Sequence, residues 1–204
     1  MISRASFLRC LMALAGGLLL ANCSSTAVSL DYQPNLSQGT PGPRKMSVGR
    51  FADMRREGSY YIGTVRTPIG TPLERVNTRI PVDQVVRNAF AHGMSSRGML
   101  AGRGAPYVLT GEILKLDCDQ VIRPAAYAKI RVNVVRVSSG QVVFSRIYSG
   151  ERENSAYLPG SGSPVPMLRE LASRALQDVV DRALDDSALR ASLSPSPPYG
   201  PDIL

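Results

Sequence analysis

Few side chains in this 204-residue chain could act as a catalytic acid, base or nucleophile. His92 is the only histidine, and nothing close to it in sequence marks a serine or cysteine as a nucleophile. Ser–His–Asp and Cys–His arrangements use a histidine as their base, so either would need His92 in that role. We interpret His92 as a surface side chain. The histidine count disfavours a hydrolase that uses Ser or Asp, and we expect neither an enzyme nor a cofactor.

Metal-binding and phosphate-binding patterns are equally sparse. Asp117 and Asp119 flank Cys118, but two carboxylates outside a calcium-loop pattern and a single histidine do not make a common metal site. We expect no metal, and we interpret Cys118 as a structural thiol because the adjacent negative charges disfavour its thiolate. Residues 160–164, GSGSP, could cradle a phosphate at a helix N-terminus, yet they lack the lysine of a P-loop. They predict a loop that leads into a helix.

The clearest chemical signal lies at the end of an apolar leader. Arg4 and Arg9 carry the only charges in residues 1–9, and residues 10–21 carry none. A basic segment followed by an apolar one is typical of a signal peptide. The apolar run has 12 residues, whereas a membrane-spanning helix needs about 20. The leader therefore predicts export rather than a transmembrane helix.

The leader ends with residues 20–23, LANC, and this ending resembles a bacterial lipobox. The resemblance implies signal cleavage between Asn22 and Cys23, followed by attachment of acyl chains such as palmitate to the sulfur and amino group of Cys23. One chain holds a protein only reversibly, so two or more make a stable membrane anchor. Asn22 departs from the Gly, Ala or Ser that the lipobox prefers. The alternative is an ordinary signal peptide cut after Ala27 or Ser29.

The residue after the cysteine bears on the destination. In Gram-negative sorting an Asp at that position favours retention in the inner membrane, and Ser24 is similar to outer-membrane lipoproteins in this respect. We expect a lipid-anchored protein on the periplasmic face of the outer membrane. Acylation of Cys23 leaves Cys118 without a cysteine partner in the processed chain, so we expect no disulfide.

The formal net charge is +8, and arginine dominates it. The candidate surface for an anionic partner comprises Arg50, Arg55, Arg56, Arg66, Lys129 and Arg131. There is no Trp, and aromatic residues make up 6% of the chain, so we expect no nucleic-acid partner. Envelope phosphates, on lipid or lipopolysaccharide, are the expected anions.

Composition divides the chain into four parts. Residues 1–22 are the predicted lipoprotein signal peptide. Residues 23–44 are rich in Ser, Thr, Pro and Gly and predict a lipidated N-terminus and flexible tether. Residues 45–190 predict one periplasmic domain, and the Pro-rich residues 191–204 predict a disordered tail.

Strands are predicted from alternating and β-branched runs within the domain. The expected strands are residues 45–54, 106–116, 126–137 and 141–150. Residues 55–80 hold several Gly and Pro residues and predict a long loop, with room for a short strand at 60–66.

Two amphipathic helices are predicted, one after Pro81 and one from about Ser163 to Ser187. The first has a core stripe of Val82, Val85, Val86, Ala89, Phe90 and Met94. The second has a core stripe of Leu168, Leu171, Ala172, Ala175, Val179 and Ala183. We therefore expect an α+β fold in the order β-α-β-β-β-α. A mainly antiparallel sheet of about four strands would carry both helices on one face.

Several short motifs together resemble the YajG-like outer-membrane lipoproteins. They are the leader, residues 51–55 (FADMR), Ile62-Gly63, residues 107–111 (YVLTG) and the hairpin VSSGQVVFSRIYSG at residues 137–150. The resemblance covers about residues 18–187. It implies a periplasm-facing α+β domain and supplies no catalytic residues.

Two functions follow as hypotheses. The first is a non-enzymatic envelope lipoprotein, anchored through acylated Cys23, that acts as a structural or accessory component of an envelope protein complex. The alternative is a lipid- or lipopolysaccharide-binding auxiliary module of a transport system. Both have the membrane as a partner through the N-terminal lipid anchor.

Overall fold

The computed structural model describes residues 24–34, 40–155 and 162–193. Asn22 and Cys23, with the rest of the predicted signal peptide, lie outside these ranges, as does most of the predicted tail. The described strands are β1 (Ser24–Val28), β2 (Met46–Asp53), β3 (Tyr61–Arg66), β4 (Pro72–Thr78), β5 (Tyr107–Gln120), β6 (Pro124–Arg136) and β7 (Val142–Glu153). The described helices are α1 (Val82–Ser96), α2 (Val165–Leu184) and α3 (Ser187–Ser192).

The described strands form one seven-stranded mixed sheet with β5 at its centre. β6 pairs with one edge of β5, and β7 pairs with β6, both antiparallel. The other edge of β5 receives two parallel strands in tandem, β2 along residues 107–113 and β3 along residues 118–120. β4 pairs antiparallel with β3, and β1 pairs parallel with β4 at the edge of the sheet.

The prediction of an α+β fold is confirmed, but the expected sheet of about four, mainly antiparallel strands is wrong. Three of the six ladders among the described strands are parallel: β1–β4, β2–β5 and β3–β5. Parallel neighbours need a crossover connection. For β2 and β3 that crossover includes α1, which lies between them and β5 along the chain.

Two strands, β1 and β4, are absent from the sequence-based prediction. β4 lies in the predicted loop of residues 55–80, whose short strand at 60–66 matches β3, and β1 lies in the predicted tether. β1 buries only Val28, and β4 buries only Val76 and Thr78. Strands near a sheet edge need few apolar residues, so pairing with their neighbours, rather than a local pattern, determines both.

Helix α1 packs on the sheet with its predicted apolar stripe inward, and every residue of that stripe is buried. Phe90 of α1 stacks on Phe51 of β2, with ring centroids 4.9 Å apart. Gly111 of β5 makes room for this pair, because a Cβ at that position would lie 2.6 Å from the Phe51 ring. The lack of a side chain at position 111 therefore leaves room for the aromatic stack that joins α1 to the sheet.

Helix α2 packs against β5, β6 and β7. Its predicted core stripe is buried throughout. Gly150 of β7 allows a close approach, since a Cβ there would lie 2.5 Å from the carbonyl oxygen of Ala175. Helix α3 then buries Leu189, and Leu193 is buried after it, so the domain continues past the predicted boundary at residue 190. None of the helices in the described ranges combines the length and apolar character that a bilayer span requires.

Candidate functional site at the Ser24 end of the sheet

One end of the domain gathers the segments that surround the start of β1. Ser24 lies there, together with the β3–β4 hairpin of residues 67–71, the β5–β6 turn of residues 121–123 and residues 162–164 before α2. We call these segments the Ser24 end. The β6–β7 turn of residues 137–141 lies at the opposite end of the sheet.

Strand β1 is held at the sheet edge by its ladder with β4 and by side-chain contacts. Ser24 pairs with Glu74 at the first position of the ladder. Asn77 Nδ2 donates a hydrogen bond to Ser25 Oγ at 2.7 Å, and the Thr26 hydroxyl donates to the Glu74 carboxylate. These bonds give a polar strand, SSTAV, a defined place in the sheet.

The predicted lipidation site lies outside the described residues, but its covalent neighbour does not. Cys23 precedes Ser24 directly, and consecutive Cα atoms across a trans peptide are about 3.8 Å apart. An acyl chain on Cys23 would therefore be attached one peptide step from the paired edge of the sheet.

The chain after β1 is bound to the two long helices. The Tyr32 hydroxyl donates to Asp181 Oδ1 at 2.6 Å and accepts from Arg97 Nη1 at 3.1 Å. Arg97 Nη2 also donates to Asp185 Oδ2 at 2.8 Å. Burial, and then the hydrogen bond to Asp181, raises the pKa of Tyr32 to about 12, so this phenol stays protonated and donates. The network fixes residue 32 against α1 and α2.

Further contacts hold the end of the predicted tether. Arg190 Nη2 donates to the Thr40 carbonyl at 2.7 Å. The Gly42 amide donates to the Arg97 carbonyl at 3.0 Å. The described part of residues 23–44 is thus largely bound to the domain, whereas composition predicted a flexible tether.

An apolar cavity of about 660 Å³ opens at the Ser24 end. Val65, Leu73, Val121 and Ile122 supply much of its lining. Leu73 is 54% exposed and Ile122 is 77% exposed, so the cavity mouth is apolar too. Cavities of this size and character are typical of sites for apolar ligands.

Gln120, the last residue of β5, lies in the wall of this cavity. It is only 4% exposed, and its side-chain oxygen receives no hydrogen bond from the described part of the chain. Buried polar atoms are nearly always paired, so this oxygen is an exception among the described residues. Nothing in the local sequence indicated this site, because the hairpin and turn that enclose it were predicted as loops.

A second cavity, of about 390 Å³, lies between residues 28–32 and α1. Ser29, Asp31 and His92 line it, so folding brings a hydroxyl and a carboxylate towards the histidine. No hydrogen bond joins His92 to either residue within the described ranges. The nucleophile–base contact of a hydrolase is therefore not formed.

The six basic residues of the predicted anionic-partner surface are spread over β2, the segment after β2, β3 and β6. Exposed members are Arg50 on β2, Arg56 after β2 and Lys129 on β6. Arg66 ends β3 at the Ser24 end and is partly exposed. Arg131 Nη1 forms an ion pair with Glu112 Oε2 at 2.7 Å on the neighbouring strand. The fold does not gather these charges into one site.

Arg55 is placed inside the protein. Its side chain is 3% exposed and forms an ion pair with Asp53 at 2.8 Å. Nη1 donates to the carbonyl oxygens of Tyr61 and Leu116, at 2.8 and 2.9 Å. Arg55 thus fills the gap on β5 between β2 and β3, and it is unavailable to an anionic partner.

Cys118 is buried in β5. Burial, with smaller effects of the Asp117 and Asp119 charges, raises the pKa of its thiol to about 12. An inert structural thiol is the consequence. Across the described ranges, no group of three or more His, Cys, Asp or Glu side chains is placed to hold a metal ion.

No family model matches the chain, and no curated protein matches it in sequence. Among solved structures, protein XCC0632 from Xanthomonas campestris, assigned to the DUF330 family model, is similar in fold. It is 18% identical, with a TM-score of 0.59 over 79% of this chain and 92% of that chain. At this identity the likeness shows the fold alone.

Two other structures are more distant. A PelC dodecamer from Paraburkholderia phytofirmans is 16% identical, with a TM-score of 0.40 over 75% of this chain and 94% of that chain. Lipoprotein GNA1162 from Neisseria meningitidis is 12% identical, with a TM-score of 0.31 over 62% and 92%. Similarities this low carry no argument about the role of this chain.

Proposed function

We propose that this chain is a non-enzymatic lipoprotein of the bacterial envelope, anchored through acyl chains on Cys23. The position of that cysteine carries the proposal. Cys23 ends a lipobox-like sequence and directly precedes β1, the first described strand of the domain. The acyl chains are then attached where the folded domain begins.

The destination in this proposal is the periplasmic face of the outer membrane. Its support is Ser24, which follows Cys23 where inner-membrane lipoproteins carry Asp. The resemblance to YajG-like outer-membrane lipoproteins supports the same destination. The likeness to XCC0632 supports the α+β domain without naming that family.

The proposed role is that of a structural or accessory component of an envelope complex. One sheet face supports it, since Asn133 of β6 is only partly buried there and Ser145 of β7 is exposed. Ile147 is exposed there, and Ser145 Oγ donates to Asn133 Oδ1 at 2.7 Å on the same face. A broad sheet face with mixed apolar and polar side chains can contact another envelope protein.

A lipid- or lipopolysaccharide-binding module of a transport system is the second candidate. The observation that favours it is the apolar cavity at the Ser24 end, with the unpaired Gln120 oxygen in its wall. The test is lipid extraction from the purified Cys23→Ser variant, so that anchor lipid cannot confuse the result. Stoichiometric lipid that disappears in Leu73→Gln supports the module. Lipid-free protein counts against it.

The anchor is tested by labelling cells with radioactive palmitate. We expect Cys23→Ser to lose the label and to enter the soluble periplasmic fraction. Cys10→Ser, in the leader, should keep the label and stay in the membrane fraction. A labelled, membrane-bound Cys23→Ser protein would overturn the anchor. The accessory role is tested by crosslinking in intact cells, and recovery of the lipoprotein alone would count against it.

A further inference from the structure

We infer that the Ser24 end of the domain is a membrane-docking surface that lies on the bilayer holding the Cys23 acyl chains. This inference rests on the proposed lipidation and goes beyond it, because an anchor on a long tether would leave the domain free of the membrane. Its occupant is the lipid bilayer itself, with phosphate-bearing headgroups at its surface.

The first argument is distance. Ser24 is paired with Glu74 in the sheet, and Cys23 is one peptide step away, about 3.8 Å between Cα atoms. Acyl chains that insert into a bilayer therefore bring the sheet edge to the bilayer surface. The contacts of Tyr32 with Asp181 and of Arg190 with Thr40 oppose release of the following segment as a spacer.

The second argument is the apolar character of the Ser24 end. Ile69 at the tip of the β3–β4 hairpin is 89% exposed, and Ile122 in the β5–β6 turn is 77% exposed. Leu73 and Val121 are exposed beside them and line the cavity mouth. Transfer of apolar side chains at loop tips from water to the acyl boundary of a membrane lowers the free energy.

The third argument is charge. Arg66 and Arg123 flank the two apolar tips, and the Arg123 side chain is largely exposed. Its ion pair with Glu153 is long, at 3.4 Å, and solvent-exposed, so it competes weakly with a phosphate. Basic side chains beside apolar tips fit the negatively charged surface of a leaflet that contains anionic lipid.

The test places a fluorescent probe at chosen positions of the acylated full chain in vesicles of phosphatidylethanolamine and phosphatidylglycerol. Ile69→Cys and Ile122→Cys carry the probe at the Ser24 end. Val142→Cys is the matched control, since Val142 is 57% exposed at the opposite end of the sheet. The native thiol at position 118 is buried and does not compete for the label.

Lipid-borne nitroxide quenchers report depth. We expect quenching at positions 69 and 122 to exceed that at position 142 several-fold. Equal quenching at the three positions, in protein whose Cys23 acylation is verified by mass spectrometry, overturns docking and leaves the proposed anchor intact. Protein without acyl chains on Cys23 overturns the proposed anchor, and the inference that rests on it also fails.

A charge-reversal variant supplies a second readout. Arg66→Glu/Arg123→Glu, with the probe at position 122, is expected to lose part of the quenching in anionic vesicles while it stays bound through Cys23. Unchanged quenching in this variant overturns the assignment of anionic headgroups as the charged partner.

Discussion

The guanidinium of Arg55 donates a hydrogen bond to the carbonyl oxygen of Leu116 at 2.9 Å, across 61 positions of the chain. β2 ends at Asp53 and β3 begins at Tyr61, and both pair with the same edge of β5. The Arg55 side chain therefore supplies a hydrogen bond to β5 in the gap between the β2 ladder and the β3 ladder, where no strand pairs with this edge.

Removal of this side chain should be costly. We expect Arg55→Met to lower the free energy of unfolding by about 3–5 kcal/mol, because it removes the guanidinium from a part-buried Asp53 carboxylate and from two carbonyl oxygens. Urea denaturation measures the change. The exposed neighbour provides the control, and Arg56→Met should shift stability by no more than about 0.5 kcal/mol. Similar small effects for both variants would contradict the role of Arg55.

Gly63 should tolerate no side chain. A Cβ there would lie 1.8 Å from the carbonyl oxygen of Cys118, so Gly63→Ala forces β3 away from β5. We expect destabilisation of about 3 kcal/mol or more, measured by thermal unfolding. Gly58→Ala is the matched control, because no atom lies within 4 Å of a Cβ at that position. A stable Gly63→Ala protein would contradict the observed pairing.

The ion pair of Arg97 with Asp185 should make stability depend on pH. Burial alone would raise the pKa of Asp185, but its hydrogen bonds and ion pair with Arg97 hold the pKa below its usual value. The contribution is therefore complete above the unfolded pKa of about 3.9 and is lost as pH falls through the lower folded value. We expect Asp185→Asn to lower the free energy of unfolding by about 2 kcal/mol at pH 7.

The same difference should shrink towards zero in acid, where the wild-type carboxyl is protonated as well. Denaturation series at neutral and acidic pH measure it. Asp119→Asn, at an exposed position of β5, serves as the control and should change stability little at either pH. A difference for Asp185→Asn that is constant with pH would mean that its charge is not the cause.

Cys118 should resist thiol reagents in the folded protein. Burial raises its pKa to about 12, so the thiolate is scarce at pH 8 and the reagent has no access. We expect no reaction with a disulfide reagent over the time in which urea-unfolded protein reacts fully. Absorbance of the released thiolate gives the rate. Rapid reaction of the native protein would place this thiol at the surface.

Ser24 should influence the choice of membrane. An Asp after the acylated cysteine favours inner-membrane retention, so Ser24→Asp is expected to shift the protein from the outer- to the inner-membrane fraction of a density gradient. Ser25→Asp adds the same charge one residue later and should leave the distribution unchanged. Outer-membrane recovery of both variants would contradict sorting by residue 24.

The sequence was informative where a periodic apolar pattern meets the core. The stripes of α1 and α2 and the alternation along β6 predicted those elements within a few residues. Val132 and Val134 of β6, for example, are buried at every second position. These elements bury enough apolar surface for their period to appear in sequence.

Other features depend on partners distant in the chain and have no local pattern. β1 is a polar strand whose place comes from β4, and Arg55 looked like a surface charge until Asp53, Tyr61 and Leu116 surrounded it. The cavity at the Ser24 end likewise arises from three loops that meet only in the folded protein. Such features follow from topology rather than from residue type.

The pairing scheme also limits the order in which the sheet can assemble. β2 and β3 pair in parallel with β5, so neither ladder can form until β5, which lies later in the chain, is present. A chain that emerges from its N-terminus delivers β2 well before β5. Among the described ladders, only β3–β4 and β1–β4 can form before residue 107 arrives. Non-local pairing slows folding, and a β2 edge left unpaired during that interval is the kind of exposed edge through which folding intermediates aggregate.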